Sequence, residues 1–262
     1  ASTVAASLAW MMGDKAGRST ALLDLDIHFG TGALALDLEP GRGLTDAIEN
    51  PSRIDGLFIE RAMVRANDKL CVLSAEAPIN QPMLTDGSAF FQLQEEMRGA
   101  FETTIIDLPR PMLIQHPHLV HDAHVAIVVS ELTLAGTRDA IRILSWLKAN
   151  APQSRVIVVA NKVAPAAHQE VSRSEFEKSI ERKVDVVIPL DLKAAAQAAK
   201  LGQPLAKVSA AGKVAQPLGQ LVSMTIAAVD GSAEPGEAGS GDNSLLGKLN
   251  LKTLLVKKPK DA

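Results

Sequence analysis

The sequence predicts an α/β fold in which a mostly parallel sheet is flanked by helices on both faces. Short aliphatic runs alternate with longer helical patterns along the chain, and most of these runs are apolar throughout. Continuous apolar runs are typical of strands buried on both faces, and their alternation with helices indicates parallel strands. The 262 residues are 47% hydrophobic, which is enough for one globular domain with a sizeable core.

The individual elements follow from the same two patterns. Strands are predicted where short runs are rich in Val, Ile and Leu: Thr20–Leu25, Leu70–Leu73, Thr103–Asp107, Ala123–Val129, Arg155–Ala160 and Val184–Ile188. Helices are predicted where longer amphipathic or small-residue patterns fill the intervals: Thr3–Met12, Thr85–Met97, Leu134–Ala149, Ser174–Lys183, Leu192–Leu201 and Val214–Val229. Ligands of such sheets bind outside the carboxyl ends of the strands. Candidate functional residues are therefore those that directly follow a strand.

The composition changes after the last predicted helix, which divides the chain into three parts. Residues 1–229 form the α/β domain, and residues 230–244 are rich in Gly, Ser, Glu and Pro, as expected for a flexible linker. Residues 245–262 form a leucine-rich tail with five lysines and one aspartate. The lysines suit an anionic lipid surface, but the leucines are not segregated to one side of a helix. Reversible membrane or partner docking and a disordered tail therefore stay open as equal alternatives.

Charge and cysteine content exclude several classes of function. The net charge of −3 provides no general polycation, so no nucleic-acid partner is expected. No apolar run approaches the ~18 residues that a membrane span needs. Cys71, expected in the core, is the only cysteine. One cysteine cannot support a disulfide framework or a multi-cysteine metal site within one chain, and this fits a cytoplasmic protein.

Carboxylates follow two of the predicted strands. The run "LLDLDIHFG" brings Asp24 and Asp26 to the end of one strand, two residues apart, which directs both to the same side while the chain stays extended. The run "TTIIDLPRP" ends a strand in Asp107. An aspartate fixed at the end of a buried strand suits a magnesium–phosphate site, where it holds a metal-bound water. Each of these aspartates has an alternative interpretation as a turn former or helix cap.

Two later segments suit the binding of a purine. The run "VIVVANKV" ends in Asn161 and Lys162, and an amide at this position can read a purine edge. "VVIPLDL" follows one strand later. A simple turn at Asn161–Lys162 and a strand terminator at Pro189 are the alternatives.

Read in order, these segments resemble the deviant Walker A ATPases of the MinD/ParA group. In that group a strand and a glycine-rich loop ending Gly-Lys-[Ser/Thr]-Thr lead into a helix, and Ser2 and Thr3 match the last two positions. Asp24 and Asp26 match its Asp-x-Asp, Asp107 its Walker B aspartate and Asn161 its Asn-[Lys/Arg], over about residues 1–228. The resemblance implies a P-loop NTPase fold whose first strand and most of whose P-loop precede Ala1.

Two departures from the group's pattern narrow the resemblance. Ala1 falls where the group has its P-loop lysine, and "DLPRP" replaces the Thr-Pro-Ala-Gly segment after the Walker B aspartate. Both features are similar to the CpaE/TadZ pilus-assembly branch, which serves Flp (tight-adherence) pili as polar localisation factors. The nitrogenase iron-protein branch is excluded, because its cluster needs two cysteines per subunit.

The resemblance implies ATP and Mg²⁺ as cofactors and assigns a role to each matching residue. Ser2 would ligate Mg²⁺, Thr3 would lie against a phosphate, and Asp107 would hold the metal through water, with Asp24 nearby. Asp26 would orient or deprotonate the attacking water. The residues that would hold adenine are Asn161 and the segment Pro189, Leu190 and Asp191.

The resemblance, with alanine in place of the lysine, predicts an ATP-binding homodimer with weak or no hydrolysis. Its expected role is a spatial scaffold for pilus-assembly and polar proteins, cytoplasmic or peripheral at the inner membrane or cell pole. One alternative is a pseudo-ATPase interaction module that dimerises without nucleotide. Another is a MinD/ParA-type cell-division or DNA-segregation ATPase. Four histidines between His116 and His124 are interpreted as surface or switch-adjacent residues in preference to a metal site.

Overall fold

Strands and helices alternate along the described part of the chain. The structure is a computed structural model, and it describes residues 1–80, 82 and 85–231. Its strands are β1 (Thr20–Asp24), β2 (Val64–Arg65), β3 (Leu70–Leu73), β4 (Thr103–Asp107), β5 (Val125–Ser130), β6 (Arg155–Val163) and β7 (Val186–Pro189). Its helices are α1 (Ser2–Asp14), α2 (Gly43–Glu49), α3 (Gly56–Ala62), α4 (Ser88–Ala100), α5 (Arg110–Gln115), α6 (His118–His121), α7 (Leu134–Asn150), α8 (Arg173–Ser179), α9 (Leu192–Leu201), α10 (Leu205–Val208) and α11 (Ala215–Val229).

The described strands form two sheets. The first has the order β2–β3–β1–β4, in which β1 pairs in parallel with β3 and β4, and β2 pairs antiparallel with β3. The second has the order β5–β6–β7 and is parallel throughout. β4 and β5 are each an outer strand of their sheet. Among the described strands only β2 runs antiparallel, which confirms the predicted mostly parallel arrangement.

Helices cover both faces of the sheets, as predicted. On one face α1, α10 and α11 pack against both sheets in one core cluster, which includes Leu22 of β1 and Val159 of β6. On the other face α2, α3 and α4 pack against the first sheet, where Leu23 is buried. α7 and α8 pack against the other face of the second sheet. Neighbouring strand residues enter different clusters because successive side chains point to opposite faces.

Local hydrogen bonds explain where the element boundaries differ from the prediction. α4 begins at Ser88 and not at Thr85, because the Thr85 and Asp86 side chains accept hydrogen bonds from the backbone N–H groups of Gly87 and Ser88. α8 begins at Arg173, since Ser172 caps it. β7 begins at Val186 and not at Val184. There the Asp185 N–H donates a hydrogen bond to the Val158 carbonyl at 2.9 Å, but the Val158 N–H donates to the Asp185 carboxylate at 2.7 Å and not to a backbone carbonyl.

Several short elements are absent from the sequence prediction. They are α2, α3, α5, α6, α10 and β2, which contain between two and seven residues each. Elements of this length leave too few apolar residues for a periodic pattern. Cys71 is half-buried in β3 and not fully enclosed as expected; its register partners are Arg65 on the short outer strand β2 and Ala21 on β1.

Two of the predicted parts are not covered by the described residues. The tail and all but Asp230 and Gly231 of the predicted linker lie outside them. Within the described residues, no helix combines the length and the hydrophobicity that crossing a membrane requires.

Candidate functional site

A cleft of about 230 Å³ opens at the start of α1, beside the carboxyl ends of β5 and β6. Its lining residues come from three segments of the chain: Ala1, Ser2 and Thr3; Val129, Ser130 and Glu131; and Asn161 and Lys162. The carboxyl edge of a parallel sheet is the ligand-binding edge in α/β folds. The cleft therefore lies where the sequence places the functional residues.

The start of α1 contributes hydroxyl and backbone groups to this cleft. Ser2 is half-buried and Thr3 is exposed, and the Ala1 carbonyl accepts hydrogen bonds from the N–H groups of Val4 and Ala5. The first N–H groups of a helix have no intrahelical partner, and the helix dipole places partial positive charge there. This end of α1 is suited to an anion.

Asp24 and Asp107 end neighbouring strands and are register partners in the β1–β4 ladder. Asp107 is 7% exposed and Asp24 is 1% exposed. The Asp24 carboxylate accepts hydrogen bonds from the N–H of Asp26 at 3.1 Å and from the N–H of Gly32 at 2.7 Å. Burial raises the pKa of Asp24, and these two hydrogen bonds oppose the rise. Both of its oxygens thus hold the loop after β1.

Asp26 does not line the cleft. The chain turns after Leu25, and the Asp26 carboxylate accepts a hydrogen bond of 3.2 Å from the Phe29 N–H. The extended backbone that would direct Asp24 and Asp26 to the same side ends at Asp24. Asp26 therefore has the geometry of a turn former.

Asn161 and Lys162 lie together at the cleft because β6 continues past the predicted end at Ala160. The pairing of β6 with β7 is irregular between Ala160 and Val163, and Lys162 has a φ of 53°, in the left-handed region. The Lys162 Nζ lies 2.8 Å from the Glu131 Oε1.

The predicted adenine segment, which begins at the last residue of β7, lies beside this region but does not line the cleft. The Leu190 N–H donates a hydrogen bond of 2.9 Å to the Val163 carbonyl, next to Lys162. The Asp191 carboxylate caps α9 by accepting a hydrogen bond from the Ala194 N–H at 3.0 Å. The side chain of Asp191 therefore has a helix-capping role.

Ser130 and Glu131 also line the cleft and are not among the site residues predicted from the sequence. They end β5 and begin the connection to α7, which starts at Leu134. The rule that ligands lie at the carboxyl ends of strands applies to this strand as well. The polar residues that end the apolar run "VVSE" therefore indicate a ligand-binding position in the same way as Asp107 does at the end of β4.

The histidine-rich segment lies only partly at the expected surface position, because His121 and His124 are exposed but His118 is half-buried. His116 is buried, and its ring packs edge-on against Phe90 with 4.9 Å between centroids. Burial lowers the pKa of His116, and the neighbouring His118 lowers it further. In the part of the chain that the structure describes, no group of three or more His, Cys, Asp or Glu residues is arranged to hold a metal ion.

Comparison with solved structures identifies the fold. No protein-family model and no curated protein sequence matches the chain. A ParA family ATPase from Chlorobium tepidum has a TM-score of 0.75 at 18% identity, over 86% of this chain and 91% of that one. The chain has the ParA/MinD fold. This confirms the fold class, and the sequence resemblance to the group is supported at the level of the fold.

Two MinD structures extend the comparison. The MinC:MinD cell division complex of Aquifex aeolicus has a TM-score of 0.69 at 17% identity, over 90% of this chain and 92% of that one. MinD of Pyrococcus horikoshii, solved with Mg-ADP, has a TM-score of 0.64 at 17% identity, over 85% of this chain and 89% of that one. The CpaE/TadZ branch is not represented among these structures.

Proposed function

We propose that the cleft binds a purine nucleoside triphosphate with Mg²⁺ and that the protein acts as a nucleotide-dependent spatial scaffold. The observation that carries this proposal is the convergence of the start of α1, the end of β5 and Asn161 on one cleft in a ParA/MinD fold. α1 packs against β4, whose last residue is Asp107. The Mg-ADP complex of the P. horikoshii protein supports the choice of ligand.

The residues at this edge fit Mg²⁺ and phosphate. Mg²⁺ prefers oxygen ligands and keeps several waters, and the Ser2 hydroxyl and the Asp107 carboxylate are oxygen donors of this kind. The N–H groups at the start of α1 suit a phosphate, with Thr3 beside it. Asn161 suits the purine edge, and the backbone from Pro189 to Asp191, which lies next to the cleft but does not line it, is the other adenine contact of the proposal. Bound Mg²⁺ supplies charge neutralisation of the phosphates.

Slow or absent hydrolysis is part of the proposal. Ala1 contributes a methyl group where the resemblance places a lysine, and loss of one electrostatic stabiliser of the transition state typically costs about 2.7–4 kcal/mol. Asp26 is the residue that orients the attacking water in this proposal. It would have to leave its hydrogen bond with Phe29 or act from the turn that this bond defines.

The pilus role is the finer part of the proposal. It is supported by Ala1 and by the segment from Asp107 to Arg110, which are similar to the CpaE/TadZ branch. Arg110 binds Asp139 of α7 and keeps 73% of its side chain exposed, which suits contact with a partner. A homodimer, polar or pilus-assembly partners, and membrane contact through residues 245–262 belong to the same proposal.

Light scattering of the full chain with Mg-ATP, Mg-ADP or no nucleotide tests the scaffold. We expect dimers with Mg-ATP and monomers in the other two conditions. In a hydrolysis assay we expect an ATP turnover below about 0.1 per second, two orders of magnitude under a typical enzyme. A dimer that forms equally without nucleotide would favour the pseudo-ATPase alternative. Turnover near the typical value of about 10 per second would contradict slow hydrolysis.

A further inference from the structure

Lys162 and Glu131 form an ion pair at the cleft, and neither side chain takes part in the nucleotide binding proposed above. The Lys162 Nζ lies 2.8 Å from the Glu131 Oε1, and the two side chains are 60% and 50% exposed. Exposed ion pairs of this kind contribute little to folding stability, because water and salt screen them. Stability therefore does not account for the position of this pair at the cleft.

The backbone at Lys162 adds a second observation. A φ of 53° is unfavourable for a residue with a β-carbon. Asp37, Lys162 and Glu181 are the non-glycine residues with positive φ in the described part of the chain, and of these only Lys162 lines the cleft. Strained backbone of this kind is concentrated at functional sites.

The irregularity in β6 lies at the cleft. The pairing of β6 with β7 shifts register between Ala160 and Val163, and Asn161 and Lys162 within this interval both line the cleft. Such irregularities change the direction in which a side chain points and are common next to functional sites. The irregular interval thus brings a cation, Lys162, and an amide, Asn161, to the same cleft.

Lys162 is the cation of this region that lines the cleft. Glu131 and Lys162 are the charged side chains among its lining residues, together with Ser2 and Thr3. Arg110, which follows β4, is bound to Asp139 on α7, and Arg138 contacts the same carboxylate. Neither arginine lines the cleft.

We propose that Lys162 is a phosphate-binding residue of the cleft and that Glu131 is its exchangeable counter-ion. This inference rests on the proposed function. Without nucleotide the ammonium group is bound by Glu131, and with nucleotide it binds a phosphate oxygen instead. Glu131 competes with the phosphate for Lys162 and repels it as a like charge, so it weakens nucleotide binding and favours release.

Calorimetric titration of the full chain with ADP, ATP and adenosine, each with Mg²⁺, tests this exchange. Lys162→Met should lower affinity for ADP and ATP at least about tenfold and leave adenosine unchanged, because adenosine has no phosphate. Lys162→Arg should retain affinity within about threefold. Glu131→Gln should raise ADP affinity by about threefold or more, since it removes the competitor and leaves the shape unchanged.

A matched control is Lys183→Met, which removes another exposed lysine that is paired with a carboxylate, Glu177, at 2.9 Å. Its nucleotide affinity should equal that of the wild type. Thermal unfolding verifies that each variant is folded. If Lys162→Met does not fold, the two single variants Lys162→Arg and Glu131→Gln still test the proposal.

The outcomes separate the two proposals. A wild-type chain that binds none of the three ligands would overturn the proposed function itself. Wild-type binding with unchanged ADP affinity in Lys162→Met would overturn only the role of Lys162. Equal losses for ADP and adenosine would make Lys162 a base contact, and weaker ADP binding in Glu131→Gln would make the ion pair structural. Either result contradicts the exchange.

Discussion

Asp24 organises the loop that follows β1. Both carboxylate oxygens accept backbone hydrogen bonds, and Gly30 and Gly32 lie against the same carboxylate. A β-carbon at Gly32 would lie 2.9 Å from the Asp24 Oδ2 and 3.1 Å from the Asp24 Cβ. The buried carboxylate and the glycine therefore fit together only while position 32 has no side chain.

Gly32→Ala should lower the free energy of unfolding by about 1–3 kcal/mol, because the added methyl overpacks a buried site. Urea unfolding measures the change. Gly99→Ala in α4 is the matched control, since nothing lies within 4 Å of a β-carbon there, and it should gain about 0.5–1 kcal/mol from helix propensity. Equal effects of the two substitutions would contradict the close fit around Asp24.

The candidate site is only partly predictable from single residues. Ser2, Thr3 and Asn161 meet at the cleft, because the ends of parallel strands share one edge. Asp191 caps α9, which a strand-end pattern cannot distinguish from ligand binding. The position of Lys162 depends on its own left-handed backbone conformation in an irregular strand, and no residue type in "VVANKV" predicts that conformation.

At the scale of elements, Glu177 joins α8 to the segment before β7. Its carboxylate accepts hydrogen bonds from Arg173 at 2.8 Å, from Lys183 at 2.9 Å and from the Val184 N–H at 3.0 Å. These bonds lower the pKa of Glu177 from its ordinary 4.5 to about 2, and the bond from Lys183 has the largest effect. The charged form is therefore favoured by the folded state.

The stability that Glu177 contributes should depend on pH. Its folded-state pKa lies below its unfolded value, so the contribution is fully present above about pH 4.5 and is lost as pH falls toward about 2. Glu177→Gln should lower the free energy of unfolding at pH 7, and its difference from the wild type should shrink through that window. The exposed Glu181→Gln is the control. A difference that stays constant from pH 7 to pH 3 would contradict the lowered pKa.

The elements that the sequence predicts well are those with a clear local pattern. Leu70–Leu73, Thr103–Asp107 and Leu192–Leu201 have the predicted bounds, because unbroken apolar runs and a long small-residue helix leave clear patterns. Boundaries shift where a side chain replaces a backbone partner, as Asp185 does before β7. Such a replacement of a backbone partner by a side chain depends on contacts with residues distant in sequence, so a local sequence pattern cannot predict it.

At the scale of the whole molecule, one helical layer connects the two sheets. α1, α10 and α11 share a core cluster with residues of both sheets, although β4 and β5 are outer strands. The fold is shared with structures that are only 17–18% identical. Burial patterns tolerate extensive substitution when volume and alternation are kept. The start of α1 lies on the cleft, so a ligand there would contact the helix that packs on both sheets.

The most direct test of nucleotide binding is calorimetric titration of the full chain with ATP, with and without Mg²⁺, for the wild type, Ser2→Ala and Asp107→Asn. We expect the wild type to bind Mg-ATP with a Kd below about 100 µM. Either substitution should remove most of the difference between the ATP affinities measured with and without Mg²⁺. Ser2→Ala deletes an oxygen ligand of the metal, and Asp107→Asn deletes the charge of another. Absence of wild-type binding at millimolar Mg-ATP, or a Mg²⁺ effect unchanged in both variants, would contradict a nucleotide site at the start of α1.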